Sequence, residues 1–156
     1  MAEIARIVAT VSLLLGLACA ARADEQRAHF NYMMQCQGCH LPDASGVTGK
    51  VPQLRDVVGQ FLHSAEGRAF VIQVPGVAGT PLDDAQLAEL INWLLRRFSA
   101  AQLPSDFVPY TASEVARLRA HPDPDPEKHR EQLLRDIAVA VGRPPPATAH
   151  EIAPRG

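Results

Sequence analysis

The five residues Cys36-Gln37-Gly38-Cys39-His40 have the types and spacing for covalent haem attachment. Two thiols three positions apart lie on one helical turn, where both can add to the vinyl groups along one haem edge. The histidine that follows at once brings its imidazole beneath the iron as an axial ligand. Without His40, the C-x-x-C pair would read equally well as a redox dithiol or as half a zinc site.

Two features of the chain agree with that chemistry. Residues 1–23 have the pattern of a secretory signal peptide: Arg6, an apolar run from Ile7 to Ala20, and the small-x-small site Ala21-Arg22-Ala23, with cleavage expected before Asp24. The run is shorter than the roughly 20 residues of a membrane span, so membrane attachment is not expected after cleavage. Haem attachment through thioethers takes place outside the bacterial inner membrane, so export to the periplasm and the motif support each other. The second feature is the cysteine count. Of three cysteines, Cys19 lies in the leader, which leaves only Cys36 and Cys39. A disulfide between residues this close would close a small loop of little structural value. A thioredoxin-like dithiol expects a βαβ setting, and strand patterns are scarce here.

The elements that must position the motif read as helices. Residues 25–40 form a helix ending in it, and residues 41–53, with Pro42, Gly46, Gly49 and Pro52, form a loop. Residues 54–64 read as a short helix, with Lys50 and Arg55 as charges available to haem propionates. The clearest helix is 83–98, capped by Asp83 or Asp84, with Leu87, Leu90, Ile91, Leu94, Leu95 and Phe98 on one face. An extended strap follows at Ser105–Tyr110. Thr111 and Glu114 read as a capping box for a helix at 112–120. A proline-spaced linker, His121–Pro126, leads to an amphipathic helix at 127–141, whose apolar face suits either the core or a partner. Gly142 ends it, and Pro144-Pro145-Pro146 begins a tail. The formal net charge is −2, so no basic patch for nucleic acid is expected. One motif and no internal repeat mean one haem.

Over roughly residues 25–99 the chain resembles the class I cytochrome c family. The residues that carry the likeness are the aromatics Phe30 and Tyr32 before C-x-x-C-H, Pro52 twelve residues after His40 with Leu54 two further on, and the later helix with Trp93. The resemblance implies an all-α fold of a few helices around one covalent haem c, anchored by Cys36 and Cys39, with His40 as axial ligand. It implies that the Pro52 carbonyl accepts a hydrogen bond from His40 Nδ1–H. It gives Trp93 a place where the first and last helices cross, with haem packing as a second role. The implied division is 1–23 signal peptide, 24–99 cytochrome c domain, 100–121 strap and short helix, and 122–156 linker, helix and tail. The implied function is that of a periplasmic electron carrier rather than an independent enzyme. Its partners would be a dehydrogenase and an acceptor cytochrome or oxidase.

The chain departs from the family at the sixth ligand, usually a Met in the loop before the last core helix. Here that loop, read as Val71–Pro81, contains none, and Met1, Met33 and Met34 all precede the motif. Three alternatives stand. His63 binds the iron; the iron is open beneath a valine-lined pocket; or the ligand comes from His121, His129 or a partner protein. An open iron would suit a small-ligand sensor. A further reading is a haem subunit of a larger oxidoreductase, with 100–156 as its docking arm.

Overall fold

The computed structural model describes residues 22–142. Residues 1–21, most of the expected signal peptide, and 143–156, the expected tail, lie outside the described residues. Among the described residues there is no strand, only an isolated antiparallel bridge between Val47 and Val51. The fold is all-α.

Helix α1 runs over residues 22–35. It buries Ala28, Asn31 and Tyr32, spaced three and four apart on one face. That face crosses α5 (Asp84–Phe98). Arg27 Nε donates to Glu89 at 2.8 Å across the crossing. Trp93 stacks on His29 with ring centroids 5.4 Å apart, and Tyr32 lies against both Trp93 and Phe98. The start of α5 is set by a reciprocal cap: Asp83 Oδ1 accepts from Gln86 N–H, and the Gln86 side chain accepts from Asp83 N–H. Leu87, Leu90, Ile91, Leu94 and Leu95 are buried, the face that the spacing predicts.

Between these helices the chain differs from expectation. The short helix expected at 54–64 is a 3₁₀ segment, Val58–His63. Part of the expected loop is helical, in α3 (Ala65–Gln73) and the one-turn α4 (Pro75–Ala78). Ser64 caps α3, its hydroxyl accepting from Gly67 N–H at 2.9 Å. Pro75 opens α4, where its missing N–H costs nothing.

The C-terminal extension lies on this body. Asn92 is buried and bonds both backbone groups of Tyr110: Nδ2–H to the carbonyl at 2.9 Å, and Oδ1 from N–H at 2.8 Å. α6 (Ala112–Arg119) follows. Thr111 accepts from Glu114 N–H, but the expected reciprocal half of that box is not made. The Glu114 carboxylate instead takes a two-pronged bond from Arg68, at 2.7 and 2.8 Å. A bidentate Arg–carboxylate pair, half-buried, outweighs one exposed backbone cap. The His121–Pro126 segment is tied to the core by Asp123 N–H donating to the Gln73 carbonyl at 2.8 Å. In α7 (Pro126–Ala140), Leu133, Leu134, Ile137 and Ala138 are buried against the 3₁₀ segment and α3. Of the two surfaces that suit its apolar face, α7 covers the protein's own core.

Candidate haem site

The motif sits where α1 gives way to α2 (Gln37–His40), a single turn. Cys36 N–H still donates to the Tyr32 carbonyl, and His40 N–H donates to the Cys36 carbonyl, both at 2.9 Å. Cys36 and Cys39 are free thiols, the first partly buried and the second exposed. Burial, with the neighbouring Cys39 adding, pushes the Cys36 thiol up to about 11. Among the described residues no three His, Cys, Asp or Glu side chains gather as a metal cluster.

The loop after the motif is built to return a carbonyl to His40. Leu41 and Ala44 take left-handed backbone angles, and Gly46 N–H donates to the His40 carbonyl. The Tyr32 hydroxyl donates to the Leu41 carbonyl at 2.6 Å and ties the loop to α1. The Val47–Val51 bridge then turns the chain back. Gly46, at φ +70, lies so close to the Val51 and Pro52 backbone that a Cβ would collide with both. The turn ends with His40 Nδ1–H donating to the Pro52 carbonyl at 3.0 Å. That bond leaves Nε2 as the bare ring nitrogen. Burial lowers the His40 pKa, with the Pro52 carbonyl opposing, and favours the neutral, ligating form.

The other residues named from sequence are not all drawn to this point. Trp93 lies in the aromatic cluster at the α1–α5 crossing. His63 ends the 3₁₀ segment, with Nε2 3.0 Å from the Gln102 carbonyl. His129 bonds Asp123 and Glu66, and His121 is exposed. Arg55 donates to the Asp43 carbonyl at 2.9 Å, and Lys50 is exposed. The segment before α5 carries Val74, Val77 and Leu82, partly buried against the core. Thr80 in the same segment is buried, its hydroxyl without a hydrogen-bond partner.

Two site residues escaped the sequence reading. Gly46 is one of two glycines in a turn-rich loop, and nothing local marks it as the one facing Pro52. Arg119 donates to the Ala78, Thr80 and Leu82 carbonyls from about 40 residues further along the chain, and no local spacing could reveal that.

Two free thiols on one turn and a bare imidazole nitrogen beside them are the donor set of a covalently held haem. No family model matches the chain. It is 30% identical over 126 residues to a cytochrome c-552 of Thermus thermophilus, covering 69% of this chain and 82% of that protein. The chain belongs to the class I c-type cytochromes. A second Thermus thermophilus cytochrome c-552 is 30% identical over 104 residues, covering 55% of this chain and 79% of that protein. As a class I cytochrome, the protein carries one covalently bound haem c and acts as an electron carrier with redox-partner proteins.

Proposed function

We propose that this cytochrome carries electrons in the periplasm, between a dehydrogenase and an acceptor cytochrome or oxidase. Cys36 and Cys39 are the thioether anchors and His40 is the proximal ligand. The Pro52 carbonyl fixes the His40 tautomer and makes the ring more basic. The observation that carries the reading is the 3.0 Å bond from His40 to Pro52, on the same turn as two free thiols. The bound haem supplies a one-electron couple whose potential follows ligation, burial and hydrogen bonding. The residues around it orient the ligand and keep water out. Trp93 forms part of that apolar wall, with Tyr32 and Phe98. Among the described residues no acid–base pair accompanies the motif, which favours a carrier over an enzyme. The periplasmic location rests on the leader pattern in residues 1–23. Residues 24–99 are the haem-holding body, to which 100–121 and 122–156 are added.

The second reading, an open iron that binds a small molecule, also has a specific observation behind it. The segment from Val74 to Leu82 offers valines and no Met, and His63 would have to give up its Gln102 bond to ligate through Nε2.

The deciding experiment is the optical spectrum of the purified holoprotein, oxidised and reduced, with and without carbon monoxide. A low-spin spectrum indifferent to carbon monoxide supports the carrier and makes His63→Ala the next variant. A high-spin spectrum that shifts with carbon monoxide puts the open site first.

A further inference from the structure

We propose that Arg119, on the C-terminal extension, is a positioning residue for the second face of the haem. Its guanidinium holds in place the segment that in this chain brings no ligand to the iron. The inference rests on the open-iron reading above, in which the valines of Val74–Leu82 cover the iron opposite His40.

The geometry is specific. Nε and Nη2 both donate to the Ala78 carbonyl, at 3.1 and 2.9 Å. Nη2 also donates to the Thr80 carbonyl, and Nη1 to the Leu82 carbonyl at 2.8 Å. Nη1 meets Asp84 Oδ1 at 3.2 Å, at the start of α5. Alternate carbonyls along five residues therefore converge on one planar cation, whose side chain is only 18% exposed. The segment's own backbone bonds lie in its first half: Val77 and Ala78 N–H donate to the Val74 carbonyl, and Gly79 N–H to Pro75. Thr80 N–H returns to Val77, but Pro81 has no N–H to give, and regular helix resumes only at Asp84. Where a Met ligand would tether such a segment through the iron, this chain has Val74 and Val77. The tether comes instead from a side chain of the extension, Arg119.

The clamp is itself anchored. α6, which carries Arg119, is fixed by the Asn92–Tyr110 pair of bonds and by the Arg68–Glu114 pair. The extension therefore has a task at the haem: it keeps the second face closed and its valines in register. Lysine could not replace arginine here, because a single ammonium cannot span three carbonyls in one plane.

The test uses the full-length holoprotein with Arg119→Gln and Arg119→Lys. The readouts are the oxidised and reduced spectra and the carbon monoxide association rate after flash photolysis. Both are taken well below the melting temperature of each variant, which is measured alongside. Losing charge-assisted bonds that hold the segment closed should raise the association rate about tenfold in Arg119→Gln. The spin-state bands should shift with it, and Arg119→Lys should fall between. Wild-type rates and spectra in Arg119→Gln, with only a lower melting temperature, would mean a purely structural residue and overturn the proposal. If Arg119→Gln does not fold, wild-type behaviour of Arg119→Lys overturns it equally. A wild-type holoprotein that binds no carbon monoxide would sink the open-iron reading, and one lacking covalent haem on a denaturing gel the attachment assigned to Cys36 and Cys39, and this inference falls with either.

Discussion

At the scale of single residues, the site depends on a backbone approach that only glycine permits. Gly46 lets the loop fold tightly enough to bring the Pro52 carbonyl to His40. Gly46→Ala places a methyl group against that carbonyl and forces an L-residue to φ +70. The expected cost is about 1–3 kcal/mol of holoprotein stability from the strained backbone alone. The reduction potential should also shift, because the His40 hydrogen bond is stretched. Gly38 lies inside the motif, but a Cβ there meets nothing within 4 Å. Gly38→Ala should therefore leave both stability and potential close to wild type. Thermal melts and potentiometric titration of the pair check this, and equal behaviour of the two variants would refute the role given to Gly46.

At the scale of elements, one tie that holds the extension is Asn92, a polar side chain on the otherwise apolar face of α5. Asn92→Ala strands a buried N–H and a buried carbonyl of Tyr110. Each stranded group costs about 1–3 kcal/mol. The variant should lose about 2–4 kcal/mol in urea unfolding, and trypsin should cut the extension sooner. A loss under about 1 kcal/mol would mean that other contacts secure the strap. What could be read in advance follows the same physics. α5 was legible because an amphipathic face, an aspartate cap and a basic last turn agree. The motif was legible because attachment and ligation occupy consecutive residues. α3 was not, because Gly67, Val71 and Ile72 are poor helix formers and tertiary packing on the 3₁₀ segment overrides them. Thr111 and Glu114 carried the right cap signal, yet the partner that claims Glu114 lies 46 residues away at Arg68. Long-range partners of this kind, Arg119 included, leave no trace in local spacing.

At the scale of the whole molecule, the extension closes onto the body through a pH-sensitive contact. His129, on α7, bonds Asp123 through Nδ1 at 2.7 Å and Glu66 of α3 through Nε2 at 3.0 Å, with the Phe70 ring edge-on to it. The Asp123 bond first, and the Glu66 bond second, raise the His129 pKa above its ordinary value. Partial burial of Asp123 pushes its carboxyl up, but the bonds from His129 and the Asp125 backbone outweigh that and hold it below the usual range. The two groups set opposite limits. A histidine whose folded pKa is raised stabilises fully below its unfolded pKa of about 6.5, and the contribution disappears as pH rises through the folded value. An aspartate whose folded pKa is lowered stabilises above its unfolded pKa of about 3.9, and the contribution disappears as pH falls. The contact is therefore strongest from about pH 4 to 6.5 and weakens on the alkaline side. His129→Gln keeps a polar side chain but cannot be protonated. The urea midpoint of the wild-type holoprotein should fall between pH 5.5 and 8.5 by more than that of His129→Gln. Parallel pH profiles for the two proteins would show that the histidine is not charged in the folded chain. The junction of α7 with α3 would then owe its stability to Leu133, Leu134 and Ile137 rather than to this ion pair.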